Sequence, residues 1–306
     1  MIMEMKLEFP TIGLSRLCRL LGVTRQAYYQ YFWRLSDTHT EEQLIIDQVK
    51  EIRNFHPVIG CRKLFFLLQS FLLENQIKIG RDALFDLLAS YKLLVRRRRL
   101  RVVTTRSRHW LKKYPSLIKE WHPEKPNQLW VADITYVPIK KGFIFLSLIT
   151  DAYSHKIMGY SIADNLEGKH TFKALNMALD KRTTLTPDLI HHSDRGLQYC
   201  GLDYTGMLHK SNIKISMTEK GDPLENAVAE RLNGIVKNEY LCHYNIKTRR
   251  QAERMLPEIV RRYNKLRPHL SINMKTPDEV HEKELLINRT WERKRQLTSI
   301  EKLVNE

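Results

Sequence analysis

Three carboxylates far apart in the chain sit in segments that differ in type. Asp133 lies within Trp130-Val131-Ala132-Asp133-Ile134-Thr135-Tyr136, an alternating stretch that reads as a strand. Asp194 follows Leu189-Ile190-His191-His192 in Ser193-Asp194-Arg195-Gly196, a strand end running into a turn. Glu230 stands 36 positions further on, in the first half of a helical segment from Glu225 to Tyr240. Oxygen ligands delivered by separate segments are what a hard divalent cation such as Mg²⁺ requires. A pair of such ions clamps the attacking and leaving oxygens of an in-line phosphoryl displacement. The chain carries 34 acidic residues, so spacing alone singles out none of them. The neighbours do: Asn226, Asn233 and Lys237 lie at −4, +3 and +7 from Glu230, on one face of an uninterrupted helix. Two amides and an ammonium around a carboxylate make a poor core stripe and a good surface for metal and phosphate.

The other acids near these motifs have plainer uses. Asp151 suits a turn, and Asp222-Pro223 reads as loop. Glu225 favours a helix N-terminus. Glu239, nine positions after Glu230, falls on the opposite side of the helix. Glu253 and Glu258 read as solvated. His191 and His192 alternate along a strand and read as hydrogen-bonded structural histidines. A metal-bound water needs no histidine base.

Positioning the acids falls to the segments around them. Strands are expected at 130–139, 143–150 and 156–162, joined by tight turns into an antiparallel meander. A helix over 168–181, a strand over 189–192, a helix over 202–211, a strand over 213–217 and helices over 225–240 and 251–264 follow. The order β-β-β-α-β-α-β-α-α fits a mixed α/β sheet with helices on both faces. If the first and fourth strands are neighbours, Asp133 and Asp194 meet at strand ends, and a helix laid across them delivers Glu230.

Upstream the texture is helical. Leu14 to Tyr29 has apolar residues at helical spacing interrupted by Gly22, with Thr24 able to cap a second helix that begins at Arg25. This is a helix-turn-helix pattern. Ser36 to His39 reads as a polar break, followed by helices over 41–54, 62–73 and 80–93, a second unit of the same kind. Next comes Arg96-Arg97-Arg98-Arg99-Leu100-Arg101, continued by Arg106, Arg108, Lys112 and Lys113. Arg25, Arg62, Arg96, Arg97, Arg98, Arg99 and Arg101 are the basic side chains expected to meet phosphates, contacts that position a protein without reading bases. The expected organisation is a helix-turn-helix segment at 1–35, a second helical unit at 40–95, a basic linker at 96–125, a catalytic core at 126–285 and a tail at 286–306.

Composition agrees. The chain of 306 residues has 51 basic and 34 acidic side chains, net +17, and is 42% hydrophobic. Residues 1–125 hold 23 of the basic and 12 of the acidic residues, so most of the excess charge is N-terminal. Such a charge points to a polyanionic partner, nucleic acid above all. No apolar run is long enough to cross a membrane, and a cytoplasmic, nucleoid-associated location is expected. The cysteines, Cys18, Cys61, Cys200 and Cys242, show no metal or disulfide spacing and read as free thiols.

The motifs together resemble the second-frame (OrfB) transposases of bacterial insertion sequences in the IS-three family, DDE recombinases with a ribonuclease-H-like core akin to retroviral integrases. The matching residues are Trp130 to Tyr136, His192 to Tyr199, Glu225 to Glu230, Lys237-Asn238-Glu239, Tyr263-Asn264-Lys265-Leu266-Arg267-Pro268-His269 and Thr276-Pro277. Ser15 to Cys18 and Gly60 to Leu64 resemble the family's helical DNA-binding segments. The resemblance spans roughly residues 12–282. It implies that Asp133, Asp194 and Glu230 bind two Mg²⁺ or Mn²⁺ ions, and that Lys237, with Asn226 and Asn233 beside it, lies toward the element's end. It implies cleavage by water to leave a 3′-OH, then transesterification of that hydroxyl to another strand. It also implies assembly of several copies on DNA, with a first-frame (OrfA) protein or a frameshift fusion to it as partner. Glu225 stands where Asp is usual, and Cys200 where a small polar residue is common. Two alternatives stay open: a catalytically silent DNA-binding protein derived from such an enzyme, and a plain ribonuclease-H-type nuclease.

Overall fold

The structure is a computed structural model that describes residues 2–95, 110–118, 121–140, 142–182, 188–219, 227–244 and 246–287, without the side chains of 33–39. The arginine run at 96–101, Glu225, Asn226 and most of the tail lie outside the described residues. The chain divides into two compact units, Met1–Ile52 with Leu67–Leu94, and Arg53–Phe66 with Val95–Glu306.

The first unit is helical: α1 (Ile2–Glu8), α2 (Leu14–Leu20), most of α3 (Arg25–Phe55), the end of α4 (Cys61–Leu67), α5 (Gln69–Glu74) and α6 (Arg81–Ser90). Helix α2 stops where Gly22 turns left-handed, at φ +68°. The amides of Gly22 and Val23 return to the carbonyls of Arg19 and Cys18, a closure that glycine accommodates without strain. Thr24 caps α3 as its position suggests, its Oγ1 accepting from the Ala27 amide at 3.0 Å. The break expected at Ser36–His39 is absent, and α3 runs through it. No proline or glycine occurs in that stretch, and polar residues cost only tenths of a kcal/mol each in a helix. The helix expected over 62–73 is instead divided at Leu68 into α4 and α5.

The second unit is built on a five-stranded sheet of β1 (Leu129–Pro138), β2 (Phe143–Asp151), β3 (Ile157–Ala163), β4 (Ile190–Ser193) and β5 (Lys214–Met217), in the order β3-β2-β1-β4-β5. The first three strands form the antiparallel meander, while β4 and β5 join parallel to β1 and to each other. This mixed topology is the ribonuclease-H-like one. Alternation along the strands assigns two faces. On one, Trp130, Ala132, Ile149 and Met158 pack with α7 (Gly168–Asp180), α8 (Leu197–Cys200) and α9 (Leu202–Lys210). On the other, Val137, Ile144, Leu146 and Leu148 meet α10 (Ala227–Ile235), the π-helix Val236–Leu241 and α11 (Arg249–Leu266). Helix α12 (Pro277–Glu282) follows a capping box on Thr276. A Cβ at Gly159 of β3 would come within 1.9 Å of the Ala174 carbonyl oxygen, so glycine lets α7 lie directly on the sheet.

Candidate active site

Strand pairing brings the first two acids together. Ala132 of β1 stands opposite Ser193, the last residue of β4, so Asp133 on β1 and Asp194 just past the end of β4 each follow that pair. Asp133 is opposite Leu148 of β2, on the face that carries α10. Helix α10 is held there by Ala229, which packs with Leu129, Val131 and Ile190, and by Leu232. Glu230 follows Ala229 and is exposed in the first turn of the helix. Asn233, one turn later, is only 2% exposed and donates from Nδ2 to Asp133 Oδ2 at 2.7 Å. The Ile134 amide donates to the other Asp133 oxygen at 2.8 Å.

Asp133 lies within electrostatic reach of both other acids. Burial pushes the Asp133 carboxyl up to about 7, and the charges of Asp194 and Glu230 push it the same way. The hydrogen bonds from Asn233 and Ile134 pull it down and only partly offset this. Asp194 is fixed by its own turn, Oδ1 accepting from the Gly196 amide at 3.0 Å. A Cβ on Gly196 would come within 3.0 Å of that same oxygen, so the glycine leaves the Asp194 carboxylate undisturbed.

The donor set suits a hard cation. Its oxygens are carboxylates whose mutual repulsion a positive charge would relieve, and Asn233 Oδ1 beside them is buried without a hydrogen-bond partner. Among the described residues, however, no three His, Cys, Asp or Glu side chains already stand close enough to form a metal-binding group.

The remaining expectations distribute as follows. His191 and His192 are buried and hydrogen-bonded to Tyr204 (2.9 Å) and Ser216 (2.9 Å). Burial holds them down to about 3 and about 4, so both are neutral near pH 7. Asn233 is buried beneath Asp133 and not presented to a phosphate. Lys237 is half-buried in the π-helix, so the single α-helical face drawn from Glu230 to Lys237 is interrupted at Val236. Arg25 and Arg62 are exposed, and Arg25 reaches Ser15 Oγ at 3.5 Å.

Two features escape a reading by spacing. Glu239, in the π-helix, accepts two hydrogen bonds from Arg267 at 2.8 and 2.7 Å, and Arg267 is 1% exposed. Arg267 also meets His269 Nε2 at 3.0 Å. The His56 ring, from the stretch between α3 and α4, hydrogen-bonds Tyr240 at 2.8 Å. Glu239 does lie away from Glu230, as expected; the density of motif residues at Tyr263–His269 was the available sign of its partner.

A five-stranded ribonuclease-H-like sheet with Asp133 on β1, Asp194 just past the adjacent β4 and Glu230 on α10 has the layout found among polynucleotidyl transferases. Comparison narrows it. Two family models, each described as an integrase core domain, match residues 123–223 and 211–277. An insertion element IS600 31 kDa protein of Shigella sonnei is 36% identical over 87% of this chain and 98% of its own length. The transposase for insertion sequence IS629 of Shigella sonnei is 32% identical over 79% of this chain and 82% of its own. The HTLV-2 integrase catalytic core, solved with magnesium, is 22% identical over 51% of this chain and 97% of its own, with a TM-score of 0.39; at that level the strand order itself carries the fold. The chain belongs to the DDE transposases of bacterial insertion sequences. It is a polynucleotidyl transferase of DNA transposition, with DNA as its substrate. Among the described residues no helix is long and apolar enough to cross a membrane.

Proposed function

We propose that Asp133, Asp194 and Glu230 are the catalytic carboxylates of this transposase and together hold two divalent ions, Mg²⁺ or Mn²⁺. The observation that supports the assignment is the Asp133 carboxyl, which follows the last paired position of β1 and β4, as Asp194 does, and lies within the field of both other acids. When bound, such ions neutralise phosphate oxygens and ease deprotonation of water. The protein's own part is placement. Asn233 and the Ile134 amide orient Asp133, the Gly196 amide orients Asp194, and the apolar seat of Ala229 and Leu232 sets Glu230 over them. The reaction is in-line hydrolysis of a phosphodiester at an element end, one P–O bond forming as one breaks, releasing a 3′-OH. That hydroxyl then attacks the phosphorus of a second phosphodiester, one P–O bond forming as the bond to that strand's 3′-oxygen breaks, and that oxygen leaves as its own 3′-OH. Positioning and charge neutralisation carry both steps, without a covalent enzyme intermediate or nucleotide cofactor.

Lys237 is assigned to the DNA near the cleaved phosphate. Asn226, Arg25, Arg62 and Arg96 to Arg99 with Arg101 are assigned to flanking DNA, and copies of the chain act together on it, with the first-frame protein as partner or fused domain. The test is an amide series, Asp133→Asn, Asp194→Asn and Glu230→Gln, on a plasmid carrying the intact element. Each variant should lose Mg²⁺-dependent end cleavage by at least about 100-fold while keeping its affinity for the same DNA. Cleavage at the wild-type rate by any folded member removes that residue from the assignment.

A further inference from the structure

Trp110 is 90% exposed, although the segment that carries it is firmly seated. Leu111 and Tyr114 pack onto the core cluster beneath α9. The Leu117 amide donates to Ser216 Oγ at 2.9 Å, and the Met217 amide donates to the Pro115 carbonyl at 3.4 Å, so the segment rides along the outer edge of β5. Tyr114 also meets His209 at 3.2 Å. The chain therefore turns Leu111 and Tyr114 inward and Trp110 outward. A tryptophan can bury 150–250 Å², a large apolar surface to leave in water on an anchored segment.

Two exposed lysines, Lys112 and Lys113, follow it in the same segment. Lys112 lies 5.2 Å from the Tyr114 ring centroid. Lys113 acts on the Cys200 thiol, as do Asp194 and Arg195, which brings it into the electrostatic neighbourhood of Asp194. Ser216 and Met217, where the segment is pinned, stand beside His192 and Ser193 in register. The segment thus reaches the end of the sheet at which Asp194 lies.

We propose that Trp110, Lys112 and Lys113 form a single-strand contact beside the active site, the indole stacking on an unpaired base and the two ammonium groups taking adjacent phosphates. An aromatic face among fixed cations is how proteins hold single strands without reading sequence, since every base offers a π-face. The inference rests on the proposed function and deepens it, since a free 3′-OH strand end is its product.

The test uses the full chain, with Trp110→Ala, Trp110→Tyr and the pair Lys112→Gln/Lys113→Gln. Binding is read by fluorescence anisotropy of a labelled oligothymidylate of about 12 nucleotides, within the usual single-strand site sizes, and of a blunt duplex. Trp110→Ala should weaken oligothymidylate binding about tenfold, leave the duplex within about twofold, and be rescued by Trp110→Tyr. The lysine pair should flatten the salt dependence for the single strand. Wild-type affinity of Trp110→Ala for the oligothymidylate would overturn the inference, as would equal loss on both probes or a change only in oligomeric state. Binding is read without cleavage, so the outcomes separate. Wild-type protein that cleaves element ends while Trp110→Ala binds normally sinks this inference alone. Stacking at Trp110 in a protein that cannot cleave sinks the proposed function alone.

Discussion

Asp133 is the side chain on which the site turns, because both its oxygens are held while its ionisation is opposed. Asn233 and the Ile134 amide fix both its oxygens, while burial and two neighbouring charges oppose its ionisation. Asn233 is therefore a positioning residue for Asp133. Asn233→Ala should lower cleavage and raise the Mg²⁺ concentration needed for half-maximal rate, with a stability loss of about 1–3 kcal/mol from the abandoned buried acceptor. A metal titration of cleavage alongside urea unfolding checks both, and an unchanged Mg²⁺ requirement would remove the positioning role. The sequence put Asn233 on the helix of Glu230 and on its face. It did not show that the amide is spent on Asp133, because burial depends on how α10 lies over the sheet.

At the scale of elements, the sheet was legible and the irregular joints were not. The strands announced themselves through period-two alternation, and β1 does stand beside β4, the condition on which Asp133 and Asp194 were expected to meet. The π-helix was not legible, since its Glu239 is met by Arg267, 28 positions later, in a buried two-point ion pair. Pairing of that kind is tertiary, and local propensity carries no trace of it. The missing break in α3 has the opposite cause: polar residues were read as a stop where no true helix breaker exists. The contact of β3 with α7 gives the sharpest element-scale prediction. Gly159→Ala drives a methyl into the Ala174 carbonyl, so α7 must lift. The expected loss is at least about 1–3 kcal/mol, as for overpacked cores, measured by thermal or urea unfolding. Wild-type stability would show that the helix is not seated as described.

For the whole molecule, the charge pattern and the motif order indicated a DNA-acting enzyme, and strand order and family membership bear that out. The segment 53–66 groups with the catalytic unit, within which His56 hydrogen-bonds Tyr240. Burial, reinforced by Arg267, holds its imidazole down from 6.5 to about 4. An unfolded chain takes up this proton below about pH 6.5 while the folded chain resists it until about 4, so stability is full above that window and falls as pH falls through it. His56→Gln should shrink the loss of urea stability between pH 7 and 4.5 by on the order of 3 kcal/mol; an unchanged acid slope would contradict the buried, neutral histidine. The central claim is that three distant segments share one metal locus. Iron(II) substituted for Mg²⁺ and driven with ascorbate and peroxide cuts backbone near the bound ion, and mapping the cuts tests that claim most directly. The account predicts breaks near Asp133, Asp194 and Glu230 together, all suppressed by excess Mg²⁺; breaks confined to one of these segments, or falling elsewhere in the chain, would contradict it.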